Sequence, residues 1–159
     1  MKIKNYLQKL GINFKEFKHP AVYTCEEAEK YNKNIRGIHS KNLFLKNRKS
    51  KRFYLVILPA DKKLDLDELG KKISDNLKFA KENDLKEILG VKSGAVSPFG
   101  LINDKKNKVI AVIDSKVWNP EYVSFHSNIN TETLELTKSD FHKYINSLKN
   151  ELKILQNGN

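Results

Sequence analysis

With a single cysteine, Cys25, the chain can form no internal disulfide, and a reducing cytoplasm is its expected compartment. No apolar run approaches the ~20 residues of a membrane-spanning helix, so no membrane partner is expected. The opening MKIKNYLQKLGINF lacks the apolar stretch and small-residue cleavage site of a secretory signal. It reads instead as an amphipathic helix with Ile3, Leu7 and Leu10 on one face. His19, His39, His126 and His142 are scattered, and Cys25 has no partner at ligand spacing, so no metal site is expected. The phosphate-loop and dinucleotide glycine patterns are missing, as is the G-x-S-x-G elbow of serine hydrolases. No cofactor is expected. Glycine and proline are scarce, at seven and four residues. Yet Gly94, Pro98 and Gly100 crowd into VKSGAVSPFGLIND (91–104), between apolar segments.

Positive charge is plentiful. Thirty Lys and Arg face nineteen Asp and Glu, a net charge of +11. Such a surplus draws polyanions through its field and through counterion release. Lysine that merely covers surface explains the surplus equally well. At 159 residues, 39% hydrophobic and 31% charged, the chain reads as one soluble domain spanning 1–159. Its core is expected at about 15–150, with a tail over 152–159 that frays.

KNLFL (41–45) and RFYLVILPA (52–60) predict a β-hairpin with a basic tip, KNRKSKR (46–52). Thr24 with Glu27 makes a capping box before CEEAEKYN. Helices are predicted over Leu64–Ile73 and over Leu77–Leu89, with Gly90 at the C-cap of the second. KVIAVIDSKV (108–117) and TLEL (133–136) read as strands. Thr137 with Asp140 opens a final helix carrying Phe141, Ile145 and Leu148. Strands and helices intermix without strict alternation. The fold class predicted is α+β, a central mixed, largely antiparallel β-sheet surrounded by helices.

Three features could carry chemistry. Lys41-Asn42 opens an apolar strand, where an ammonium could meet a phosphate or carbonyl oxygen in a cleft, although most lysines are simply solvated. FHSNINTETLEL (125–136) is a polar loop feeding a strand, either a turn satisfied by Asn and Thr or a cluster with His126 as orienter or acid–base group. The Gly94-to-Pro98 loop can offer bare backbone groups to a small ligand, or can be only a turn. Cys25, at a helix start, reads as a small apolar residue rather than a thiolate.

Taken together, HPAVYTCEEAEKYN, IHSKNLFLKN, FYLVILPADKKLDL, LKEILGVKSGAVSPFGLIND and FHSNINTETLEL occur in an order that resembles the YbaK/prolyl-tRNA-synthetase-associated editing domains. The similarity spans about His19 to Tyr144 and is greatest to the freestanding branch that deacylates alanyl-tRNA(Pro). The resemblance implies that Lys41 matches the family's essential lysine and Asn42 its neighbour. It aligns Gly94 and Pro98 with the GxxxP loop, and His126, Asn130, Thr131 and Thr133 with the HPxxNTxT string. Where the family has proline after the histidine, this chain has Ser127, which predicts a more flexible loop. Ser93 also replaces a frequent proline.

The resemblance implies a trans-editing aminoacyl-tRNA hydrolase acting on mischarged Ala-tRNA(Pro), without metal or cofactor. Its expected partners are the aminoacylated 3′ end and acceptor stem of tRNA(Pro), and prolyl-tRNA synthetase. Lys41 would meet the terminal phosphate or developing charge, and His126 would orient ribose or water. Asn42, Gly94, Ala95, Val96, Ser97, Pro98, Asn130, Thr131 and Thr133 would bind substrate, with Ala95 and Val96 narrowing the pocket. Removal of cysteine from Cys-tRNA(Pro), a non-catalytic tRNA- or nucleic-acid-binding module, and a free-amino-acid sensor stand as alternatives. The absence of anticodon-binding or synthetase segments reads as a freestanding chain.

Overall fold

In the computed structural model, residues 2–49 and 52–156 are described; Met1, the Cys25 side chain, Ser50 and Lys51 of the predicted basic tip, and residues 157–159 lie outside them. The expected fold class is what forms: helices flank a mixed β-sheet, with a second, smaller sheet against it. Helix α1 (Ile3–Lys9) buries Ile3 and Leu7, in keeping with their spacing. Strand β1 (Lys15–Lys18) and helix α2 (Cys25–Glu29) follow, and the Thr24 hydroxyl accepts the Glu27 N–H at 3.1 Å to start α2.

β2 (Ser40–Asn47) and β3 (Phe53–Pro59) form the predicted antiparallel hairpin, with Lys41 opposite Leu58. Every residue of β3 is buried. Its side chains alternate between two cores, as a strand covered on both faces requires. Phe53, Leu55 and Ile57 face the main core, which also holds Phe99, Val123, Phe125 and Leu134. Tyr54, Val56 and Leu58 face a second core under helix α3 (Leu66–Ile73).

The helix predicted over Leu77–Leu89 does not form as one piece. Leu77–Phe79 is instead strand β4, paired with Leu45–Asn47 of β2. A single turn, α4 (Glu82–Asp84), then runs into a π-helical turn over Leu85–Leu89 that ends at Gly90. The free edge of β2 offers ladder hydrogen bonds, and Leu77 gains burial in the second core. That tertiary gain overrides local helix propensity.

β5 (Val109–Asp114) runs parallel to β3, and after helix α5 (Ser115–Trp118) come β6 (Tyr122–His126), β7 (Glu132–Thr137) and helix α6 (Lys138–Ser147). Thr137 caps α6 by accepting the Asp140 N–H at 3.2 Å, as predicted. The tail expected to fray from residue 152 instead makes strand β8 (Leu152–Leu155), parallel to β5, with Leu155 buried in the second core. The five-stranded mixed sheet has the order β4-β2-β3-β5-β8, and the antiparallel three-stranded sheet β1-β7-β6.

Among the described residues, one backbone bridge links the two sheets at a crossing. Ile38, just before β2, bridges Val123 of β6 in parallel, its N–H donating to the Tyr122 carbonyl at 3.3 Å. Gly37 lies so close that a Cβ there would sit 2.5 Å from the Val123 carbonyl carbon. Only glycine permits that approach. Arg36 secures the crossing from the side: its backbone N–H and guanidinium donate to the buried Glu135 carboxylate at 2.6–3.1 Å, and its guanidinium lies 3.9 Å from the Tyr122 ring centroid.

Gly37→Ala should therefore destabilise the fold by about 1–3 kcal/mol, the cost of overpacking a tight contact. A lowered urea midpoint with an unchanged slope is the expected result, read by equilibrium denaturation.

Candidate active site

The crossing sets β2 beside β6, so Lys41 and Asn42 at the start of β2 come to one cleft with His126 at the end of β6. The cleft holds about 210 Å3 and is lined also by Val22, Tyr23, Gly94 and Val96. A smaller cavity of about 60 Å3 adjoins it, sharing Asn42 and His126 and adding His39 and Thr133. Two larger hollows, about 510 Å3 beside α3 and about 500 Å3 between α1 and residues 127–132, contain neither Lys41 nor His126. Side-chain chemistry, not size, distinguishes the cleft.

Lys41 is half-buried and makes no ion pair among the described residues. Its neighbour Asn42 donates to the Ser40 hydroxyl at 3.4 Å, while the buried Asn42 Oδ1 has no hydrogen-bond partner among them. A buried acceptor left unpaired costs roughly 1–3 kcal/mol, so this oxygen is suited to an incoming donor.

The 94–98 segment builds the facing wall. Gly94 has φ +90°, and a Cβ there would meet the Tyr23 ring at 3.1 Å. Val96 lines the cleft, whereas Ala95, predicted to narrow the pocket, is buried in the main core. Ser97 and Pro98 lie beneath the wall. They start a 3-10 helix over Pro98–Asn103, in which the Ser97 hydroxyl accepts the Phe99 N–H at 3.0 Å. Tyr144 donates to the Pro98 carbonyl at 2.7 Å, and Phe99 packs edge-on to Phe125 and Tyr144. Pro98 and Gly100 thus sit in a core-filling 3-10 turn, while Gly94 precedes it and lines the cleft.

The polar string after β6 has a supporting part. Asn130 donates to the Val22 carbonyl at 3.2 Å and its own carbonyl receives the Val22 N–H. Thr131 is exposed, and its carbonyl receives the His19 N–H at 3.0 Å. Ser127, where flexibility was predicted, is buried: its N–H donates to the Glu132 carbonyl and its hydroxyl to the Glu132 carboxylate at 2.7 Å. Two hydrogen bonds anchor the position that a proline ring would stiffen. Glu132 is also held by Lys4 at 2.7 Å; burial pushes its carboxyl up, but Lys4 and Ser127 outweigh this and keep it below the usual range.

Thr133 is buried between two histidines, 3.4 Å from His126 Nδ1 and 2.9 Å from His19 Nε2. Sequence reasoning weighed His19 only as a metal ligand; its place at the head of the HPAVYT segment was the available signal. Burial lowers the His126 pKa, nearby His19 adds to this, and the Glu132 backbone opposes it. His126 is therefore neutral at pH 7, with an imidazole able to accept a hydrogen bond. Among the described residues no group of three His, Cys, Asp or Glu side chains is placed to hold a metal ion.

Known proteins share this arrangement of sequence. Residues 19–144 match the aminoacyl-tRNA editing domain. The prolyl-tRNA editing protein ProX of Acetoanaerobium sticklandii is 38% identical over 151 residues, covering 94% of this chain and 92% of its own. The prolyl-tRNA synthetase associated domain-containing protein 1 of Mus musculus is 35% identical over 158 residues, covering 96% and 93%. A solved structure assigned provisionally as a trans-editing enzyme for prolyl tRNA synthetase superposes with a TM-score of 0.73 at 19% identity, over 98% of this chain and 95% of that one, a likeness of fold. The chain belongs to the aminoacyl-tRNA editing domain family.

Proposed function

We propose that the protein is a trans-editing deacylase that hydrolyses the ester of Ala-tRNA(Pro) mischarged by prolyl-tRNA synthetase. The observation that carries this reading is the convergence of Lys41, Asn42 and neutral His126 on one small cleft, in a chain of the editing family. An aminoacyl ester is already activated. Its hydrolysis asks for a positioned water and a stabilised oxyanion more than for a protein nucleophile. Lys41, free of ion pairs among the described residues, meets the terminal phosphate or the developing negative charge. His126 accepts a proton or hydrogen bond from the water or the ribose hydroxyl. Asn42 Oδ1 receives the substrate ammonium.

Selectivity has a physical reason. A synthetase pocket shaped for proline rejects the smaller alanine poorly, since each missing methylene is worth only ~1–3 kcal/mol. A second, narrower pocket that admits alanine and excludes proline completes the discrimination. Val96 is the side chain of the 94–98 wall that faces this cleft with bulk to spare.

Lys41→Ala should lower deacylation of Ala-tRNA(Pro) by about a hundredfold to a thousandfold, the cost of losing one oxyanion-type contact, with the fold intact. Wild-type turnover would remove Lys41 from the mechanism. A panel of Ala-, Cys- and Pro-tRNA(Pro) tests the substrate: fastest loss from Cys-tRNA(Pro) favours the sister specificity, and salt-sensitive binding without hydrolysis a non-catalytic module. Val96→Ala should raise hydrolysis of Pro-tRNA(Pro) relative to Ala-tRNA(Pro) by about tenfold, on the same methylene scale. Because the folded-state pKa of His126 is lowered, its active neutral form persists as pH falls. The acid limb of the rate profile should therefore lie below the ordinary imidazole midpoint of 6.5.

A further inference from the structure

The His19–Thr133–His126 contact has a direction. A carbonyl only accepts, so the 2.9 Å contact of His19 Nδ1 with the Pro20 carbonyl places a proton on Nδ1. In the neutral ring, His19 Nε2 then carries the lone pair, and the Thr133 hydroxyl 2.9 Å away donates to it. With its proton committed, Thr133 Oγ1 is placed to accept from His126 Nδ1–H at 3.4 Å, and the Glu132 backbone is a second partner of the ring. That leaves the lone pair of His126 on Nε2. One ordered chain thus runs from cleft-lining His126 to half-exposed His19.

We propose that His19, acting through the Thr133 hydroxyl, is a positioning residue that presents His126 Nε2 as a base and carries its proton away from the cleft. The inference rests on the ester hydrolysis proposed above. As water attacks the carbonyl carbon and the new C–O bond forms, a water proton passes to His126 Nε2. The Nδ1 proton moves to Thr133 Oγ1, and the hydroxyl proton to His19 Nε2. The positive charge then rests on His19 instead of inside the cleft. When the bond from the carbonyl carbon to the ribose oxygen breaks, the three protons step back and Nε2–H protonates that oxygen. One water is consumed and every proton is accounted for.

The surroundings suit this transfer. Tyr31 stacks on His19 with ring centroids 6.0 Å apart, and the His19 and His126 rings lie 5.7 Å apart. Lys41 shares the cleft with His126, and His39 shares the adjoining cavity. The Glu132 carboxylate, next to Thr133 in β7, is turned to Lys4 and Ser127. Successive strand residues face opposite sides, so Thr133 faces the histidines while Glu132 does not.

Nitrogen-15 NMR of the histidine-labelled full chain at neutral pH reads the tautomers directly. Both His19 and His126 should carry the proton on Nδ1, against the usual preference of free imidazole for Nε2–H. In deacylation of Ala-tRNA(Pro), Thr133→Val should lower kcat by about a hundredfold with KM within twofold, and Thr133→Ser should restore most of it. His19→Gln, which can accept the Thr133 hydrogen bond but cannot take a proton, should lose kcat similarly. An active wild type with Nε2–H on either histidine, or a Thr133→Val protein at full kcat, overturns the relay. Tautomers as expected in a chain that hydrolyses no aminoacyl ester uphold the hydrogen-bond order and overturn the proposed function.

Discussion

The site depends on the crossing of Gly37 and Ile38 over β6. Lys41 and His126 belong to different sheets, and among the described residues no ladder joins those sheets beyond the Ile38–Val123 bridge. Because the bridge fixes both strands at one point, the short remaining runs of β2 and β6 carry Lys41 and His126 to the same cleft. Glycine makes the approach possible, and Arg36 makes it durable. The Glu135 carboxylate is buried, so leaving it without the Arg36 guanidinium and N–H would strand a charge in the interior. The crossing is thus favoured by packing and enforced by electrostatics.

The opposite wall is stiffened by different means. Gly94 and Val96 stand on the 3-10 turn of Pro98–Asn103, whose Phe99 fills the main core and whose first carbonyl is tied to Tyr144. The size selection proposed for this pocket requires a wall that resists expansion, because one that yields by one methylene gives back the ~1–3 kcal/mol it was meant to supply. The scarcity of proline and glycine elsewhere makes their clustering here informative. They serve close approach and rigidity in one place.

Much of this architecture is legible in the amino acids themselves. Period-two patterning marks the hairpin, and caps at Thr24 and Thr137 mark two helix starts, because those signals are local. The family resemblance is borne out by the match over 19–144, and the mixed sheet that it implies by the strand order. What is not legible depends on distant partners. Leu77–Phe79 has helical neighbours along the chain but a strand edge in space, and Leu152–Leu155 is ordered by pairing with β5 and by burial of Leu155 in the second core. Ala95 and Val96 read alike as a string of letters, and only the turn of the backbone sends one into the core and the other to the cleft. Ser127 looks like a loss of stiffness, since its two bonds to Glu132 cannot be inferred from its neighbours. His19 acquires meaning only through Thr133, which lies 114 positions further along the chain.

The distribution of carboxylates explains why a lone lysine can serve here. Glu132 is committed to Lys4 and Ser127, and Glu135 to Arg36. Both sit on the strand that also supplies Thr133, and each is turned to a partner of its own. A carboxylate facing the cleft would pair with Lys41, repel the phosphates of a tRNA end and favour a charged His126. With these acids committed to the scaffold, Lys41 has no ion-pair partner among the described residues, and burial favours the neutral form of His126. The same ion pairs that hold the small sheet together therefore keep these two carboxylates away from the cleft, as the proposed anionic ester substrate requires.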